Sequence, residues 1–114
     1  MKPSFEIPGF KPSPLDPNLD YNLSPNRKDI LDQATTLTVG DRNVQHGDPW
    51  PNHDNIARIW SVILGRHIQP YEVALCMAGL KLARLAGNAD NMDSYIDGAA
   101  YLAIAGELVN ADRL

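Results

Sequence analysis

Asp93 and Asp97 stand four residues apart, so on a helix both carboxylates project from one face, and Tyr101 continues the stripe. Two carboxylates so placed can hold a divalent cation, and Mg²⁺ typically takes only one or two from a protein. Their plainer use is structural: acidic residues in a first helical turn complement the helix dipole, with Asp93 as N-cap. Lys81 and Arg84 are three apart, hence neighbours on one face among Leu80, Leu82, Ala83 and Leu85. They can pair with Asp93 and Asp97 across a helix interface, or clamp a phosphate, Arg84 bidentately and Lys81 as a point charge. A third group fills the stretch 40–53, which holds Arg42, His46, Asp48, Trp50 and His53. Structureless connections of this length are uncommon in small domains and tend to be functional or disordered. A disordered linker has no use for an aromatic, two His and a Gly47-Asp48-Pro49 turn, so chemistry or a contact is expected here. His46 and His53, seven apart, do not have zinc spacing, and Cys76 has no second cysteine to join it. No elbow motif supports a Ser or Cys nucleophile.

The elements that must position these residues read as helices. Ser24 and Pro25 predict an N-cap and first helical position, followed by Ile30, Leu31, Ala34 and Leu37 at helical spacing, with Gly40 closing the element. Asn52 or Asp54 can cap a second helix with Ile56, Ile59, Trp60, Ile63 and Leu64 on its apolar face, stopped at Gly65. A third opens at Pro70 and runs through Val73, Ala74, Met77, Leu80 and Leu85 to Gly87. A turn rich in Asn and Asp leads to the last, with Ile96, Ala100, Ala103 and Ile104 inward. No stretch alternates with period two. The fold class is therefore all-α: a compact bundle of about four helices over 26–114, preceded by an extended Pro-rich arm over 1–25.

That arm holds six of the nine prolines, with Phe5, Ile7, Phe10, Leu15, Leu19, Tyr21 and Leu23 between them. It reads either as a disordered tail or as an arm lying in a groove of its own domain or of a neighbour. The third and fourth helices are rich in Ala and Gly, which permit close helix approach. The small faces pack either between subunits of a homo-oligomer or tightly within one chain.

With 114 residues there is room for one domain. The formal charge of −4, from 14 acidic and 10 basic residues without a basic run, does not point to extended nucleic-acid binding. Cys76, within Val73-Ala74-Leu75-Cys76-Met77, reads as a small core residue, and one cysteine fits a reducing compartment. No apolar run approaches 18 residues and no leader pattern is present, so neither a membrane span nor a signal peptide is expected, and the expected location is cytoplasmic.

Three motifs in order give the chain a family likeness: Arg42, His46, Gly47, Asp48, Pro49 and Asn52; then Lys81 and Arg84; then Asp93, Asp97 and Tyr101. Through them, residues of about 29–109 resemble a family of small phage and prophage proteins of unassigned function. Two departures stand out: His46 replaces a usual Tyr, and Asp97-Gly98-Ala99-Ala100-Tyr101 replaces a usual Asp-Ile-Ala-Gly-Tyr. The resemblance implies a phage setting, in the cytoplasm of an infected or lysogenic bacterial host. More distantly, the helical layout resembles all-α nucleoside triphosphate pyrophosphohydrolases of the MazG-like kind, which hold Mg²⁺ with two Glu/Asp pairs. Here one pair, Asp93 and Asp97, can be placed, since the segment from Asp54 to Leu64 has no carboxylate after Asp54.

Three functions then stand side by side. The first is an accessory protein, serving nucleotide metabolism or counter-defence, that binds a nucleotide or other phosphorylated small molecule between the 40–53 loop and the third and fourth helices. Arg42, Lys81 and Arg84 would meet phosphate, Trp50 or Tyr101 would stack on a base, and Asp93 and Asp97 would take a cation or ribose. His46, Asp48 and His53 would complete the wall. The second is a Mg²⁺-dependent nucleotide pyrophosphohydrolase. The third is an inhibitor that covers a host or defence protein with the arm and the Trp50 loop.

Overall fold

Asn26 opens the first helix. Its side-chain oxygen accepts from the Asp29 amide at 3.0 Å, and the Asp29 carboxylate accepts from the Asn26 amide at 3.0 Å. This reciprocal cap satisfies two N–H groups that the first turn leaves over, and α1 runs Arg27–Val39, two residues later than the expected start at Pro25. The computed structural model describes residues 8–9, 25–39 and 49–112, and among these there are helices and no strand. On the surface of α1, hydrogen bonding to the Asp32 carboxylate raises the pKa of Lys28 above its ordinary value.

α2 spans Pro49–Leu64. It begins before the expected caps Asn52 and Asp54, so Trp50, Asn52 and His53 sit in its first turns instead of in a loop. Pro49 and Pro51 explain the early start, because the first turn needs no N–H donor and proline has its φ preset for helix. Gly65 ends α2 with φ +69° while its amide donates to the Ser61 carbonyl at 3.0 Å. The Ser61 hydroxyl ties this corner: it donates to the Ala57 carbonyl at 2.6 Å and accepts from the buried Ile68 amide at 2.9 Å.

α3 spans Pro70–Gly87. The Gln69 amide donates to the Glu72 carboxylate at 2.9 Å, and Pro70 takes the first helical position. α4 follows at Met92–Asp112. Asn91 caps it, accepting from the Ser94 amide at 3.4 Å, so Asp93 lies inside the first turn and is not the N-cap. The Tyr95 hydroxyl donates to the Ala89 carbonyl at 2.9 Å and anchors the α3–α4 turn.

α3 and α4 form the central pair, α1 packs on α4, and α2 packs on α3. Three small clusters make the core. Ala74, Ile104, Ala105 and Leu108 join α3 to α4, with Tyr71 and Tyr101 at their edge. Ala34, Ile96 and Ala100 join α1 to α4. Ala57, Ile68 and Val73 seat α2 on α3, flanked by Trp60 and Met77. Several residues expected inside are outside: Leu80, Ala103, Ile59, Ile63 and Leu64 are exposed. Cys76 is exposed too, because it lies on the opposite side of α3 from Ala74 and Ala78. No helix among the described residues is long and apolar enough to cross a membrane.

Two substitutions test the α2–α3 corner. Gly65→Ala forces a side chain into the left-handed region, although space around it is open, and should cost about 1 kcal/mol, lowering Tm by several degrees. Ser61→Ala leaves the buried Ile68 amide without its acceptor and should cost about 1–3 kcal/mol in urea unfolding. Unchanged midpoints in both variants would show that the corner does not hold α2 in place.

Candidate functional site

The antiparallel run of α3 against α4 sets Ala74 beside Ile104 and, two turns along, Lys81 beside Asp97. The Lys81 ammonium lies 3.0 Å from the Asp97 carboxylate, with side chains only 14% and 28% exposed. Partial removal from water makes such a pair stronger than the solvated ones on α1 and α2. Lys81 reaches this position because it continues the α3 face of Ala74 and Ala78, and its stem covers Gly98, where an added Cβ would come 3.7 Å from the Lys81 Cβ.

Asp97 also lines a cleft of about 420 Å³ between α1 and α4, together with Gln33, Thr36, Leu37, Asp93 and Ile96. That volume falls within the usual range of small-ligand sites. Its walls are mixed: Leu37 and Ile96 are apolar, Gln33 and Thr36 offer an amide and a hydroxyl, and the two carboxylates sit on one side. Gln33 and Thr36 had no signal in the sequence beyond flanking the inward Leu37 at helical spacing.

Arg84, one turn beyond Lys81, is exposed and makes no ion pair among the described residues. The antiparallel register puts it level with the first turn of α4, where Asp93 is likewise exposed. Arg84 in the last turn of α3 and Asp93 in the first turn of α4 each complement a helix dipole. Trp50 is 40% exposed at the start of α2. His53 is buried, its ring set edgewise to Tyr101 with centroids 6.5 Å apart and planes at 61°. Tyr101 also packs against the Ala74–Ile104 cluster, so His53 and Tyr101 join α2 to α4 as well as standing in the predicted set. Arg42, His46 and Asp48 lie outside the described residues. The structure thus brings Asp93 and Asp97 into one cleft, ties Lys81 to it, and places Trp50 and His53 on a different helix, α2.

Among the described residues no three His, Cys, Asp or Glu side chains gather as metal ligands would. Asp97 already accepts from an ammonium, which leaves Asp93 as the uncommitted carboxylate of the cleft. This donor set does not fit a Mg²⁺ held by protein groups alone. On α2, Asp54 accepts from the Arg58 guanidinium at 3.0 Å.

The family described as Domain of unknown function (DUF6378) matches residues 29–109. The gene 55 protein of Mycobacterium phage D29 is 38% identical over 72 residues, covering 63% of this chain and 48% of that protein. The gene 55 protein of Mycobacterium phage L5 is 34% identical over 76 residues, covering 66% and 49%. The chain therefore spans about half the length of the curated relatives it matches. No solved structure matches it. The family match runs from the first turn of α1 into the last turns of α4, through every residue of the cleft, and the chain belongs to this family of unknown function, with phage proteins among its relatives.

Proposed function

We propose that the α1–α4 cleft binds a nucleotide or similar phosphorylated small molecule, in the setting of phage nucleotide metabolism or counter-defence. The observation that carries this reading is the pairing of Lys81 with Asp97 at a cleft of ligand size, one turn from an exposed Arg84 that makes no ion pair among the described residues. A guanidinium with no carboxylate partner among the described residues suits bidentate contact with phosphate oxygens. Lys81 lends positive potential while holding Asp97 in place. Asp93, Gln33 and Thr36 offer acceptors and donors for a sugar or base, against the apolar floor of Leu37 and Ile96.

Thermal unfolding of the full chain against nucleotides and cyclic nucleotides, with and without Mg²⁺, tests this directly. A ligand at ~100-fold above its dissociation constant adds about 2.7 kcal/mol, a rise of several degrees or more. Arg84→Ala should abolish the rise while leaving the ligand-free Tm within about 2–4 °C, since surface changes usually stay within ±0.5 kcal/mol. Lys81→Ala should instead lower the ligand-free Tm, because it strands Asp97 in a partly buried position. A flat screen, or an Arg84→Ala chain that responds like the parent, overturns the reading. Pyrophosphate release in the Mg²⁺ samples would turn it into that of a hydrolase.

A further inference from the structure

Among the described residues, α2 covers one face of α3 and α1 covers one face of α4. Val73 and Met77 of α3 pack under α2, while Ile96, Ala99 and Ala100 of α4 pack under α1. About half a helical turn around from Val73 and Ala100, Leu75, Leu82 and Leu102 are 46%, 65% and 55% exposed. Between them runs a groove of about 420 Å³ lined by Tyr71, Leu75, Leu102, Ala105, Gly106 and Val109, with Asn110 at its end and no charged residue. Gly79 and Gly106 lie on the same side, and a Cβ at either would meet nothing within 4 Å. The face therefore carries both leucine ridges and a hollow that lacks side chains.

We propose that a second copy of this chain docks here, α3–α4 against α3–α4, so that two copies share a four-helix core. Ridge and hollow on one patch are what a two-fold interface requires, since each copy must present both halves of the contact. The area agrees. A fully exposed aliphatic side chain corresponds to on the order of 100 Å². The leucines at about half exposure, Tyr95 and the small residues between them then give roughly 300–400 Å² of apolar surface per copy, at the level where exposed patches mark interaction sites. Two such faces, with apolar atoms making up about 60% of an interface, correspond to about 1,000–1,200 Å² in total, the lower end of specific dimers. Ile59, Val62 and Ile63 make another exposed apolar strip, but on α2, away from this hollow, and they serve as the control.

Sedimentation velocity on the full chain over a concentration series decides the matter. The parent chain should be a dimer, and Leu102→Glu should weaken it by about a hundredfold with the helical circular dichroism retained. Gly106→Leu fills the hollow with a better helix former and should weaken it similarly, which keeps the test sound if Leu102→Glu fails to fold. Ile63→Glu should remain dimeric. A monomeric parent, a dimer indifferent to Gly106→Leu, or a dimer broken by Ile63→Glu instead would each overturn the proposal.

Discussion

The close antiparallel contact of α3 with α4 is the constraint on which the other features depend. Ala74, Ala78 and Ala105 are all but fully buried along it, and small side chains let two helix backbones approach closely. That closeness lets the Lys81 stem lie over Gly98 and its ammonium reach Asp97. Larger residues at these positions would part the helices, and the ion pair would lengthen into solvent, where it is worth little. The same pair is the platform for the other two helices: α1 rests on α4 and α2 on α3.

The ion pair has two faces. Toward the core it closes the polar gap that a lysine and an aspartate would otherwise leave between helices. Toward α1 it forms one edge of the cleft that also holds Asp93, Gln33 and Thr36. Removing either partner leaves a half-buried charge, so loss of stability and loss of binding would be entangled at Lys81 and Asp97. Arg84 is free of this entanglement, because it is exposed and unpaired among the described residues. Structural and binding roles are therefore separable by position along a single turn of α3.

Helical periodicity made the all-α class and the bounds of α3 legible from the sequence, because Pro70 and Gly87 are strong start and stop signals at the ends of a periodic run. Asp93 and Asp97 were legible as a pair for the same reason. The start of α2 was misread because Gly47-Asp48-Pro49 reads as a turn and Asn52 or Asp54 as a cap, whereas two prolines in a first helical turn are compatible with helix. Cys76 and Leu80 were misread because the run from Val73 to Leu80 carries no charged side chain, and a run with no polar side hides which face is buried. The α1 side of the cleft was not legible at all: Gln33 and Thr36 are ordinary surface residues until α1 is laid on α4. Arg42, His46 and Asp48, prominent in the sequence, are beyond what the described residues address.

The apolar run that hid the buried face of α3 has its own physical meaning. A helix that must bury only one stripe carries charge on the other, since charged residues keep a monomer soluble and discourage association. α3 carries an exposed charge at Arg84, yet leaves Leu75, Gly79 and Leu82 bare, and α4 does the same at Leu102 and Gly106. Half of the buried residues in the three clusters are meanwhile alanine, and among the described residues Val73 is the largest apolar side chain that is completely enclosed. A thin interior and an exposed apolar stripe on the same helix pair are two halves of one arrangement. The hydrophobic residues are present in the chain, but much of their surface is turned away from its own core, which is the distribution expected when part of the core is completed by another copy.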